Sequence, residues 1–217
     1  MDASDNIAGT RCKVLDSAVA LFSEKGYKGA SIREIIEHAG VTRPVLYYYF
    51  KNKEDLFCSL VESSFAELSE DFDEIMSVAI SCRSRLKLLM SKTFARAEES
   101  PGMVRLLLNA VFSSPGEEVR LDMTELVEQR FSRVTAIMQA GLDAGELCGS
   151  DAESLALVFM GVMDTHIMAK IHRPQLVLTA KLADFLVDLF IKGAGGANGK
   201  RTYADTREKR ADWVAEK

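Results

Sequence analysis

Apolar positions recur with a helical period along nearly the whole 217-residue chain. Val14, Leu15, Ala18, Leu21 and Phe22 form one stripe of an amphipathic helix, and Gly26 stands where such a helix ends on a residue of positive φ. Ser31-Ile-Arg-Glu34 has the form of a capping box, in which hydroxyl and carboxylate satisfy free amides of the first turn. The short helix after it buries Ile32, Ile35, Ile36 and Ala39, and Gly40 breaks it. Thr42 is placed to cap the next helix, with Pro44 in its first turn, where a missing N–H costs little. That helix reaches about Phe50, and Asn52 with Asp55 reads as the cap of a fourth.

Longer helices are predicted over 53–79 and 84–99, and another after Pro101-Gly102. Ser114-Pro115-Gly116-Glu117 is expected to open a helix reaching Ala144. Ser150 with Glu153 is expected to cap a helix to about Ile171, and Pro174 to start the last one, to about Lys192. No stretch alternates with period two over strand length, so the predicted class is all-α. The pattern divides into 1–52, a helix-turn-helix domain; 53–192, a helical body; and 193–217, a Gly-rich linker and polar tail with a lone Trp213.

Composition adds limits. The chain is 47% hydrophobic and 27% charged, enough to fill a core, which excludes a disordered polymer. Leu155–Met163 carries no polar side chain, but its nine residues fall short of the roughly 20 that span a bilayer, so no membrane segment is expected. Asp2 and Asp5 without a following apolar stretch predict no secretory signal. The four cysteines lie far apart and read as reduced thiols of a cytosolic protein, not a disulfide frame or zinc site. The net charge of −5 argues against indiscriminate coating of nucleic acid. The acidity is central: residues 1–56 hold eight basic and eight acidic side chains, whereas 57–192 hold 13 and 20.

The stretch 31–56 carries the chemistry. Two short capped helices joined by Ala39-Gly40-Val41 have the form of a helix-turn-helix. On the second, Val45, Leu46 and Phe50 are expected to point inward, and Arg43, Pro44, Tyr47, Tyr48 and Lys51 outward. Arg offers a donor fork to guanine, Lys a charge to phosphate and Tyr a hydroxyl to phosphate oxygens. Taken alone, the three tyrosines read as core aromatics, and the Arg as a solvated surface charge. The flanking Lys51 and Lys53 and the paired caps turn the reading toward a duplex.

The block running from Gly26-Tyr27 through Ala39-Gly40-Val41 to Leu46-Tyr47-Tyr48-Tyr49-Phe50 and Lys53-Glu54-Asp55-Leu56 resembles the TetR/AcrR family of bacterial transcriptional regulators. The resemblance covers about residues 10–56; beyond it the chain is similar only in length and helical plan. It implies a homodimer that binds a palindromic double-stranded DNA operator, usually as a repressor, and is released by a small ligand. It places Thr42, Arg43, Pro44, Tyr47, Tyr48 and Lys51 on the recognition helix, Lys53 near phosphate, and Ser31 and Arg33 on the helix that crosses the backbone. Pro44 departs from the small residue, often Gly, common in that family.

In the body, the helices 150–171 and 174–192 are apolar around much of their girth. This suits burial on two sides, one of them against a second copy. The expected dimer seam holds Leu155, Phe159, Gly161, Val162, Leu182, Phe185, Leu186 and Leu189. Adaptable and aromatic side chains of the central helices, with a few polar ones, are the candidates for an effector site: Thr93, Phe94, Met103, Asn109, Phe112, Met123, Met163 and His166. His166 and His172, six apart, do not share a helix face, and no metal or cofactor is expected. No phosphate-cradling, zinc-hydrolase or nucleophile-elbow motif is present, which argues against an enzyme. The expected function is a ligand-responsive repressor with a small, largely apolar effector. The alternative is a DNA-binding dimer of the same fold controlled by a protein partner.

Overall fold

The structure, a computed structural model, describes residues 3–113, 119, 121–148 and 151–194. Within these, the chain forms α1 (Ala3–Gly29), α2 (Ile32–Ala39), α3 (Arg43–Tyr49), α4 (Lys53–Ser77), α5 (Cys82–Glu99), α6 (Pro101–Ser113), α7 (Met123–Asp143), α8 (Ala152–His172) and α9 (Ala180–Ala194), and no strand among the described residues. The fold is all-α, as the helical period predicts. The expected cap at 114–117, Ser150, and the tail 195–217 with Trp213 lie outside the described residues.

Two compact units emerge: residues up to Leu68 together with Glu99–Leu126, and Ser69–Glu98 together with Val127 onward. In the first unit, α1 packs against α2 and α6. Val14, Ala18, Phe22, Ile35, Leu46, Leu56 and Val61 make a dry interior. Phe22, Tyr27 and Phe57 close it with three mutual ring contacts at 5.0–5.9 Å. Gly26, at φ 71°, interrupts α1 where the sequence places its end. Ser17 on α1 and His38 on α2 share a hydrogen bond of 2.9 Å.

The second unit buries Phe72, Ile75, Leu86, Met90, Phe94, Val134, Ile137, Met163 and Val187. Gly141 permits the closest approach there: a Cβ at that position would lie 2.6 Å from the Cys82 sulfur and 2.9 Å from Leu147 Cδ1. Charged pairs tie the helices together. Arg130 grips Asp164 with both terminal nitrogens at 3.1 and 2.6 Å. Lys170 reaches Glu98 at 2.8 Å, and the same Glu98 accepts the Leu178 N–H at 2.6 Å.

Helix α5 begins two residues before the expected 84, and the starts of α7, α8 and α9 also differ from expectation. Helix α7 begins at Met123, with Asp122 accepting the Glu125 N–H at 3.0 Å. Helix α8 is capped by Asp151, which accepts from Ser154 N, so the cap sits one residue after Ser150. Helix α9 begins at Ala180, capped by Thr179, because the Lys170 ammonium holds the Pro174 and Leu176 carbonyls in a turn. Helix α8 is also long and apolar enough, by length and composition, to cross a membrane. Its inward side fills the core with Ala156, Phe159, Met163 and Ile167, and its Asp164 and Lys170 are paired across to α7 and α5. Its other side leaves Leu157, Val158 and Met168 exposed.

Candidate nucleic-acid interface

Local chemistry fixes the reading helices. The Ser31 hydroxyl accepts the Glu34 N–H at 3.2 Å and donates to the Glu34 carboxylate at 2.7 Å, while the Ser31 N–H donates to that carboxylate at 2.9 Å. This is the complete capping box read from the sequence. The Lys25 ammonium, 2.6 Å from Glu34, and the Ser31 bonds hold the Glu34 carboxyl down to about 2. Gly40, at φ 64°, ends α2 in the left-handed region, where a side chain would be strained. Asn52 caps α4 by accepting the Asp55 N–H at 2.7 Å, and the Asp55 carboxylate accepts the Lys51 N–H at 2.8 Å.

Thr42 departs from the expected role. It stands at the N-cap of α3 in extended backbone, but its hydroxyl makes no capping bond. A capping hydroxyl bonds the second or third amide of a helix, and Pro44 at the second position has none to offer. Thr42 therefore keeps an exposed hydroxyl beside Arg43.

Leu46 and Phe50 are buried, while Thr42, Arg43, Pro44, Tyr47, Tyr48 and Lys51 are exposed, so α3 is two-faced. Tyr48 is 75% exposed and stacks edgewise on Tyr49 at 5.0 Å. The guanidinium of the exposed Arg43 lies over the Tyr47 ring at 5.7 Å, which limits its rotamers. Ser31 and Arg33 are exposed on α2, with Arg33 engaged by Glu37 at 2.7 Å. Lys53 is half-buried, its ammonium 4.4 Å from the centre of the Tyr27 ring. One neighbour went unread in the sequence. The exposed Arg11 on α1 stacks over Phe50 at 5.5 Å, which brings a further cation to the end of α3. Its place in the stripe, three residues before Val14, is the only signal of it.

The effector candidates separate. Thr93, Phe94, Met163 and His166 belong to the second unit, and Met103, Asn109 and Met123 to the first. The Phe112 side chain lies outside the described residues. Phe94 and Met163 are buried, and Phe94 faces His166 with ring centres 6.3 Å apart. His166 Nδ1 is 2.7 Å from the Val162 carbonyl, and the Thr93 hydroxyl donates back to Leu89 O at 2.8 Å. Met103 and Met123 pack on the first unit's core. Asn109 lines a half-open cleft of about 400 Å³ between the end of α1 and α6.

The seam candidates divide by face. Phe159 and Leu186 point into their own subunit, Phe159 with its ring 5.6 Å from Phe190, so they offer no surface to a second copy. Leu155, Val162 and Leu182 are half-buried, and Gly161 is exposed. Phe185 at 62% and Leu189 at 58% are exposed, as are Leu157 at 61% and Val158 at 58%, two positions absent from the expected seam.

Comparisons with known proteins bear on this geometry. The sequence pattern of the family described as "Bacterial regulatory proteins, tetR family" matches residues 14–60, which span all of α2 and α3. The fatty acid metabolism regulator protein of Bacillus subtilis is 23% identical over 182 residues, covering 83% of this chain and 93% of that one. The HTH-type transcriptional regulator AcrR of Shigella flexneri is 44% identical over 61 residues, 28% of either chain. The crystal structure of the transcriptional regulator FadR from Bacillus subtilis, in complex with stearoyl-CoA, has the same fold: TM-score 0.72, 23% identity, 84% of this chain and 98% of that one. With its capped α2 and two-faced α3, the segment 14–60 is similar to the tetR family of bacterial regulatory proteins, and the rest of the chain shares the fold of such a regulator at 23% identity.

Proposed function

We propose that the protein is a ligand-responsive repressor, not an enzyme. In this reading a homodimer presents two α3 helices to a palindromic operator and is released by a small, largely apolar effector held in the body. The observation that carries it is α3 itself. Seven residues bury Leu46 on one side and leave Arg43, Tyr47 and Tyr48 to water on the other. The roles of Thr42, Arg43, Pro44, Tyr47, Tyr48 and Lys51 at base edges and phosphates are supported by the exposed donors of α3, and those of Ser31, Arg33 and Lys53 at the backbone are what the family resemblance implies. The division into a reading domain (1–52), a body (53–192) and a tail belongs to the same proposal.

The exposed apolar side chains of α8 and α9 support the homodimer. An uncovered patch of that kind seeks a partner. A second copy would cover Leu157, Val158, Gly161, Phe185 and Leu189 and set the two reading helices about 34–36 Å apart, one DNA turn. For the effector, the half-buried His166 beside Phe94 is the proposed contact point for an apolar chain, and a long acyl chain, offered as its coenzyme A ester, is the first to try. The support is the FadR relative bound to stearoyl-CoA. An effector releases DNA only by binding the two states unequally, with a typical coupling of about 1–3 kcal/mol.

The test is selection of duplexes from a random pool, then anisotropy titration at several salt concentrations. Arg43→Ala is expected to cost about 1–3 kcal/mol on the selected duplex and much less on unrelated DNA. An unchanged affinity, or a chain that stays single in solution, would end the reading. Stearoyl-CoA and oleoyl-CoA are then added to the preformed complex, with loss of anisotropy as the readout.

A further inference from the structure

The cleft in the first unit is lined by the end of α1 together with Phe57, Leu106, Asn109 and Ala110 of the 53–192 segment, and it lies apart from the Phe94–His166 contact of the second unit. Its floor is apolar, made by Phe22, Phe57 and Leu106. One wall carries the Asn109 side chain, which makes no hydrogen bond to another described residue. The rim carries Lys25, Lys28 and Glu24. Lys25 is paired to Glu34, whereas Lys28 has no ion pair with a described residue. At about 400 Å³ the space suits a small ligand.

One of its lining residues is a direct partner of a proposed DNA-facing residue, and a second reaches another through Glu34. Lys25 holds Glu34, which completes the cap with Ser31. Tyr27 lies under the Lys53 ammonium. All of these residues belong to the first unit, so an occupant would act on the reading helices with no signal from the second unit.

We propose that this cleft is an effector site inside the DNA-reading unit, built for a small aromatic monocarboxylate. The apolar body of the ligand covers the small parts of Tyr27 and Phe57 open at the floor, and the carboxylate draws on Lys25 and Lys28 while the Asn109 amide donates to it. Glu24 on the same rim selects a singly charged head group over a phosphate, because a second negative charge would face it. Lys25 and Glu34 are both more than a third exposed, so a competing carboxylate exchanges with that pair at little cost. The exchange loosens the cap of α2, and the ligand weakens DNA binding. This last consequence rests on the regulator reading; occupancy of the cleft does not.

The test uses the full chain, labelled with nitrogen-15, and three probes of one shape: indole-3-acetate, its neutral amide indole-3-acetamide, and the cation tryptamine. The carboxylate is expected to move the Asn109 side-chain amide and the Tyr27 and Leu106 backbone signals. It is expected to bind roughly two- to fivefold tighter than the amide, as befits one partly exposed charge contact. Lys28→Gln removes that preference, and Asn109→Leu weakens both probes. Signals that stay still at millimolar probe, an equal response to all three probes, or shifts confined to the Phe94 and His166 region overturn the proposal. Absence of DNA binding in the anisotropy assay would sink the regulator reading alone, since the titration still decides the cleft.

Discussion

The reading unit and the body are fastened in different ways. In the reading unit the charged contacts are local: Lys25 to Glu34, nine residues apart, and Arg33 to Glu37, four apart. They finish helix ends and faces that the apolar cluster has already placed. In the body, pairs such as Arg83–Asp188 and Lys170–Glu98 join residues 105 and 72 apart, tying one helix to another. Partly exposed pairs of this kind contribute little stability each. They set the direction in which buried helices face each other. The reading unit is therefore specified near its motif, whereas the body is specified by long-range contacts over a Met-rich core.

That contrast can be broken or sharpened by substitution, starting in the body. Phe94→Ala removes a fully buried ring and should cost about 3–5 kcal/mol. Hydrogen exchange read helix by helix should show the loss in α5 and α8 while α2 and α3 keep their protection. Equal loss in both units would mean that they open as one, and the contrast would fall. Gly141→Ala forces a methyl group against Cys82 and Leu147 and should cost about 1–3 kcal/mol in a urea titration. A neutral result would show that α5 and α7 yield more easily than their packing implies.

In the reading unit, Ser31→Ala deletes the cap of α2 and should cost about 1 kcal/mol, with a larger loss of duplex affinity than of global stability. Acid gives a second reading of the same cap. Glu34, held near 2 by Lys25 and then Ser31, has a folded value below its ordinary 4.5. Its contribution is complete above 4.5 and is lost as the pH falls from there toward 2. Protection of α2 amides should fade over that window in the wild type and be weaker throughout in Glu34→Gln. The smallest effect belongs to Asp73→Asn. Its bond to Arg133 is largely exposed, and less than about 1 kcal/mol is expected, shrinking further in salt. A larger loss would mean that the body's charge ties carry more weight than their exposure implies.

How much of this was legible in the sequence follows the same division. The Ser31–Glu34 box, the Gly40 break and the Asn52–Asp55 cap read directly, because each is a short-range bond between residues three or four apart. The two faces of α3 read from helical period alone. Thr42 misled because cap statistics describe the hydroxyl and ignore that Pro44 removes one donor the hydroxyl would bond. Pro174 misled for a related reason: the turn there is held by Lys170. In α8 and α9, period identified apolar girth but could not say which side faces inward. Phe159 and Leu186 turned out to be interior, and Leu157 and Val158 exposed. The Arg130–Asp164 clasp joins residues 34 apart, and no local pattern announces such a pair.

The tight seat that Gly141 leaves for Cys82 separates the thiols by reactivity. Burial, and then the Glu146 carboxylate, push the Cys82 thiol up to about 11, and burial does the same for Cys58. A sulfur packed that closely has no room for an added oxygen, so oxidative damage and alkylating reagents should fall first on the exposed Cys12 and Cys148.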